Sequence, residues 1–182
     1  MKLFKIYTDQ DPILREKCID ISLPLTDEKR QLILDMIEYL KLSQDDEFAK
    51  EHNIRSGVGL AAPQIGYKER FFAIYFDDGD KHYEYGLVNP KIVSTSFKKG
   101  FLANGEGCLS VPKDRAGYVY RYYKITIKAF DVVSNSEVTL KLAGYPAMVF
   151  QHEYDHLDGI LYYDRINKKD PNYVDPNAVM IE

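Results

Sequence analysis

Two histidines four residues apart in an apolar run constrain this chain more than any other feature. The run from Gly144 to Gly159 reads as one buried helix. Pro146 suits the first helical position, where its missing N–H has no intrahelical partner anyway. Gly159 suits the residue just past the end, where a left-handed backbone carries no Cβ penalty. Met148, Val149 and Phe150 make the first turns too apolar for a surface helix. On such a helix His152 and His156 share a face one turn apart, so both imidazoles reach one ion. Glu153, rotated roughly 100° from His152, flanks that ion instead of duplicating a ligand. A lone histidine on an apolar face is ordinarily a hydrogen-bonded core residue. Here two of only four histidines fall in one H-E-x-x-H pattern, and the pattern marks a metal site.

Composition adds what surrounds the helix. The 182 residues, 45% hydrophobic and 29% charged, suit a single domain over residues 1–182 with a real core. A net charge of −4 offers no basic stripe or groove for nucleic acid. No run approaches the about 18 apolar residues of a membrane span, and the N-terminus lacks the pattern of a secretory signal. Cys18 and Cys108 stand in unlike contexts and make no disulfide framework, so a reducing cytoplasm is the expected setting.

In chain order, residues 1–25 look irregular. Thr26 is an expected N-cap, with Asp27 and Glu28 where the helix dipole favours negative charge. Leu32, Ile33, Met36, Ile37 and Leu40 then mark an amphipathic helix to about residue 42. Residues 43–56 are charged and read as helix extension or loop, with His52 exposed. Phe71–Phe76 reads as a buried strand and Asp77–Asp80 as a turn with a solvated His82 beyond it. Tyr83–Val93 reads as a second strand interrupted by Pro90. Ile125, Ile127 and Ala129 alternate with polar residues, and Ser134–Ser136 turns the chain into Val138, Leu140 and Leu142. The tail from Asn167 reads as loop or a short strand. The expected fold is α+β: antiparallel β-sheets around a buried helix, in the C-terminal half, carrying H-E-x-x-H.

A catalytic site of this type takes three protein ligands and leaves one position open. Tyr162 stands where the simplest metzincin pattern needs a third histidine. Cys108, in the Gly105–Pro112 stretch with two glycines just before it and a proline four residues after, has the best remaining context: it looks presented, whereas Cys18 looks structural. One rival is an endopeptidase whose third ligand is a downstream carboxylate such as Asp164. Another is a non-enzymatic module in which Cys108 closes a structural site. Gly57, Gly59 and Ala62 formally fit a dinucleotide fingerprint, but a hydrophilic stretch precedes them and a strand follows.

Three segments together resemble the motifs of peptide deformylases, in that family's order: Gly57 to Gln64, Glu106 to Ser110, and Gln151 to Gly159. Asp11 to Arg15 is similar to the family's opening segment. The long stretch before Gly57 and the lack of a clear C-terminal helix resemble the longer variety typical of Gram-positive bacteria. The resemblance implies an enzyme that removes the formyl group from formyl-Met at the start of nascent peptides, in a bacterial cytoplasm. It implies Cys108, His152 and His156 as ligands of one divalent metal ion, Fe(2+) natively, with Ni(2+), Zn(2+) or Co(2+) as substitutes. It implies Glu153 as general base and acid, and Gln64 with the backbone N–H of Leu109 as the oxyanion hole. Val58 and Gly59, from the family's strand-like substrate pairing, and Tyr145, Met148 and Val149, which lie one or two turns before His152, are candidates for the methionine pocket. Glu106 and Arg121 are candidates for an ion pair behind the site. Transient association with the ribosome is a further expectation.

Overall fold

In the computed structural model, which describes residues 2–182, the apolar run Phe71–Phe76 is buried on both sides because each side has its own cover. The strand that contains it, β2 (Phe71–Asp78), follows a short β1 (Gly59–Ala61) and pairs antiparallel with both β1 and β3 (Lys81–Thr95). Phe71 and Ala73 point into a cluster built on the first helix, α1 (Asp27–Ser43). Phe72, Ile74 and Phe76 point the other way, toward α3 (Tyr145–Leu157). A strand covered on both faces shows no alternation, which is why its sequence is a continuous apolar run. Each fully buried leucine or phenylalanine in these clusters contributes about 1.5–3 kcal/mol.

α1 begins where the N-cap was expected: Thr26 accepts from Lys29 N (3.2 Å). Its stripe Leu32, Ile33, Met36, Ile37 and Leu40 is buried, and the helix ends at Ser43. The charged segment beyond is neither extension nor plain loop. Asp45 accepts from Phe48 N (2.8 Å) and so caps a separate short helix, α2 (Asp46–His52). His52 is therefore half-buried, stacked on Phe48 with its Nδ1 against Phe48 O, where exposure had been expected.

β3 runs through Pro90 without breaking. A register shift between Val88 and Lys91 absorbs the missing donor, and Asn89 there takes a left-handed φ of 51°. β6 (Lys124–Asp131) and β7 (Ser136–Ala143) complete a sheet of order β1-β2-β3-β6-β7, all antiparallel. Before β6 come two short strands, β4 (Lys99–Leu102) and β5 (Arg121–Tyr122). With β8 (Val179–Ile181) they form a second sheet of order β5-β4-β8. The β4–β8 pair is parallel, a departure from the all-antiparallel expectation. Segments of two to four residues carry no readable period, and a parallel pair joins distant parts of the chain.

α3 packs against strands of both sheets. Gly144 (φ 67°) turns the chain out of β7, and Pro146 is the second helical residue where the first was expected. Gln151 accepts from Tyr122 N (3.0 Å) and donates to Tyr122 O (2.8 Å), tying the helix to β5. At the other end Gly159 has φ 72°. Cys18 N and Arg70 donate to Leu157 O, satisfying a terminal carbonyl that the helix itself leaves open.

Candidate metal centre and its cavity

Helix α3 sets His152 and His156 on one face with ring centroids 5.1 Å apart. A tight turn, Cys108–Val111, closed by Val111 N donating to Cys108 O (3.1 Å), brings the thiol against them. Cys108 Sγ lies 3.3 Å from His156 Nε2, and one ligand atom from each of the three residues lies within 4.8 Å of the others. One sulfur and two imidazole nitrogens at these separations fit a single divalent ion of the zinc and ferrous-iron group. Cys108 is only 6% exposed, so the loop that looked accessible is packed over by the fold. Asp164, the rival carboxylate, is held elsewhere, by Arg15 and by Leu161 N (2.9 Å). His82 sits on the surface between Asp77 and Glu84.

The two histidines are fastened differently. His152 donates from Nδ1 to Glu106 Oε2 (2.8 Å), which fixes the tautomer and leaves the other nitrogen free for a ligand role. His156 Nδ1 is buried with no hydrogen-bond partner among the described residues. Glu106 in turn receives Arg121 Nε (2.7 Å) and Nη2 (2.9 Å), and Arg121 Nη1 reaches Asp155 (2.7 Å). Arg165 closes the row on Asp155 from the surface side (2.6 Å). Two carboxylates and two guanidiniums alternate, so the charges of the row balance, with Arg165 at its exposed end. Burial opposes ionisation of Glu106, but Arg121 and then His152 outweigh it and hold the carboxyl at about 2. Asp155 and Arg165 were not singled out from the sequence. Asp155 could have been, as a second acid beside Glu153 on a helix read as largely buried; Arg165 left no signal.

Glu153 belongs to none of these pairs. It is 4% exposed, its Oε2 has no hydrogen-bond partner among the described residues, and burial pushes its carboxyl up to about 7. A carboxyl so placed exchanges protons readily near neutral pH. It faces β1: a Cβ on Gly59 would stand 2.6 Å from Glu153 Cδ. That close approach explains a glycine there better than any nucleotide fingerprint does.

Gln64 lies in a 3₁₀ turn, Ala62–Ile65, after β1. Ala61 N donates to its Oε1 (2.8 Å), so its amide N–H₂ points at Ser110 Oγ (3.1 Å) and Cys108 Sγ (3.6 Å). Among the described residues, no acceptor in the chain takes the N–H of Leu109. These groups border a cavity of about 330 Å³. Val58, Gly59, Tyr145, Met148 and Val149 all line it, as do Leu102 and Arg55, which the sequence did not single out. Cys18 lies apart from the cavity, its thiol raised to about 11 by burial.

Comparison with known proteins identifies the family. The family model for polypeptide deformylase matches residues 3–172. The chain is 47% identical to the peptide deformylase of Oceanobacillus iheyensis over 178 residues, 97% of each chain. It is also 47% identical to peptide deformylase 2 of Bacillus subtilis, over 97% of this chain and 96% of that one. The crystal structure of peptide deformylase from Thermotoga maritima superposes with a TM-score of 0.72 at 32% identity, covering 92% of this chain and 99% of that one. A family match over nearly the whole length, relatives among Gram-positive genera, and a fold shared with solved members lead to one conclusion: this chain belongs to the polypeptide deformylase family.

Proposed function

We infer that the chain hydrolyses the formyl amide of N-terminal formylmethionine on newly made polypeptides, releasing formate and a free amine. The observation that carries this is the unpartnered, buried Glu153 carboxyl beside three clustered ligand atoms, on a cavity of side-chain size. Residues 1–182 act as one catalytic domain. Cys108, His152 and His156 would hold one divalent ion. When bound, the ion supplies Lewis-acid charge and makes water acidic enough to yield a nucleophile near neutral pH.

The chain's own residues do the rest. Glu153 takes a proton from the attacking water as the new C–O bond forms at the formyl carbon. Charge growing on the formyl oxygen is met by the Leu109 N–H and the Gln64 amide; one such donor is typically worth about 2.7–4 kcal/mol. Glu153 then returns the proton to the amine nitrogen as the C–N bond breaks. Glu106 keeps His152 in one tautomer and orientation, and Arg121 keeps Glu106 charged. β1 is an edge strand with one side unpaired, so the substrate backbone adds to it at Val58 and Gly59. Tyr145, Met148 and Val149, with Leu102, surround the methionine side chain.

Iron(II) is the native ion that the family resemblance implies, and nickel, zinc or cobalt are substitutes, since this donor set suits all four. Among the described residues no helix is long and apolar enough to cross a membrane, and we place the enzyme in the cytoplasm, meeting nascent chains at the ribosome. Formate release from a formyl-Met tripeptide, measured under nitrogen on iron- and nickel-loaded protein, tests the reading. Turnover of the formyl peptide but not its acetyl counterpart is expected. Cleavage of internal peptide bonds without formate release would overturn it in favour of an endopeptidase.

A further inference from the structure

One guanidinium holds both ends of the turn that carries the thiol. Arg55 stands at the cavity rim, four residues before β1. Its Nη1 donates to the backbone oxygens of Cys108 (3.2 Å) and Val111 (2.9 Å), the first and last residues of the turn. Its Nη2 donates to Asp114 Oδ1 (3.1 Å), which keeps the fork aimed at the turn. The carbonyl of Cys108 and the N–H of Leu109 belong to one trans peptide unit, so they point in opposite directions. Pinning that carbonyl toward Arg55 therefore directs the N–H of Leu109 the other way. A cationic donor on the carbonyl also polarises the peptide and strengthens its N–H as a donor. The same segment braces the Leu109 side chain: a Cβ on Gly57 would stand 2.8 Å from Leu109 Cδ1. Gln64, the partner donor, is fastened to this turn as well, through Ser110 Oγ.

We propose that Arg55 is a positioning residue for deformylation, which aims the Leu109 N–H at the formyl oxygen by clamping the Cys108–Val111 turn. This rests on the role given to Leu109 above. Arg55→Ala should lower kcat by about 10- to 100-fold, up to the lower bound for losing one such donor outright. KM should stay within about threefold, and bound metal and Tm should hold, since Arg55 touches neither the ligand side chains nor the core. Arg55→Lys should recover part of kcat, because an ammonium can reach one carbonyl but cannot span two with fixed geometry. Hydrogen exchange of the Leu109 amide, followed in the metal-loaded protein, should quicken in Arg55→Ala and slow again in Arg55→Lys. A kcat within twofold of the parent in Arg55→Ala, with unchanged Leu109 exchange, would overturn the proposal. So would a loss shared equally by Arg55→Ala and Arg55→Lys. Failure of the parent to release formate would refute the function instead, while the exchange measurement would still decide whether the clamp exists.

Discussion

Adding one methyl group at Gly59 should disable the enzyme through a carboxylate on another element. An alanine Cβ would stand 2.6 Å from Glu153 Cδ and 2.7 Å from Cγ, and it would collide with Oε1. Carbon atoms pack at about 3.5–4.0 Å, so one side must withdraw by roughly 1 Å. Gly59 lies in β1, paired with Ile74, and Glu153 on buried α3, so neither backbone yields easily. The Glu153 side chain, with no hydrogen bond holding Oε2, is what moves. A displacement of about 1 Å in a reacting group costs on the order of 100-fold in rate, or about 2.7 kcal/mol in barrier. Overpacking should lower stability by about 1–3 kcal/mol, leaving the fold intact. The assay is kcat and KM for formate release, with metal content and Tm measured on the same preparation. A drop of about 100-fold in kcat with metal retained is expected. If kcat stays within threefold, or if the loss falls wholly in KM, the carboxylate is not what Gly59 makes room for, and the reasoning fails.

Further outcomes follow for the site and for the second cysteine. Glu153→Gln should keep its metal yet lose activity by several orders of magnitude, since the amide cannot carry the proton; near-normal turnover in metallated protein contradicts the role. Cys108→Ser should lose most bound metal while Cys18→Ser keeps it. In the folded protein Cys18, 4% exposed and with its thiol near 11, should resist alkylation at pH 8 and react faster as pH climbs toward that value, because only the thiolate attacks. Alkylation of Cys18 as fast as that of a free thiol would contradict this. Arg121→Met should take the guanidinium from between two buried acids, leaving Glu106 with His152 alone and Asp155 with Arg165 alone, at about 3–5 kcal/mol, lowering Tm by roughly 6–20 °C for a chain of this length. A thermal melt shifted by less than 3 °C would show that the pairing carries little.

The helix that organises the site was legible from its own residues. His152, Glu153 and His156 take their relative positions from the 3.6-residue period, and Gly144 and Gly159 bound the segment through the freedom glycine has to adopt φ near +70° without a Cβ penalty. The α1 stripe and the β6–β7 hairpin were legible for the same reason: each has a period, and a period is local. Strands β4, β5 and β8 are too short to have one, and the parallel β4–β8 pair joins residues far apart in sequence.

The site divides along the same line. Residue type and spacing along the chain named the candidate ligand histidines, the flanking carboxyl and a best candidate for the third ligand. Which cysteine meets the histidines, whether the Glu106–Arg121 pair is buried and what balances its charge were decided only by the tertiary structure. Cys108 looked presented because two glycines lead into it in sequence, yet other segments cover it. Arg55, Asp155 and Arg165 act through partners 10 to 59 residues away, and no local pattern records such a contact. Local sequence determines which faces and groups a segment offers; burial, and with it charge state and reach, belongs to whatever the rest of the chain packs against them.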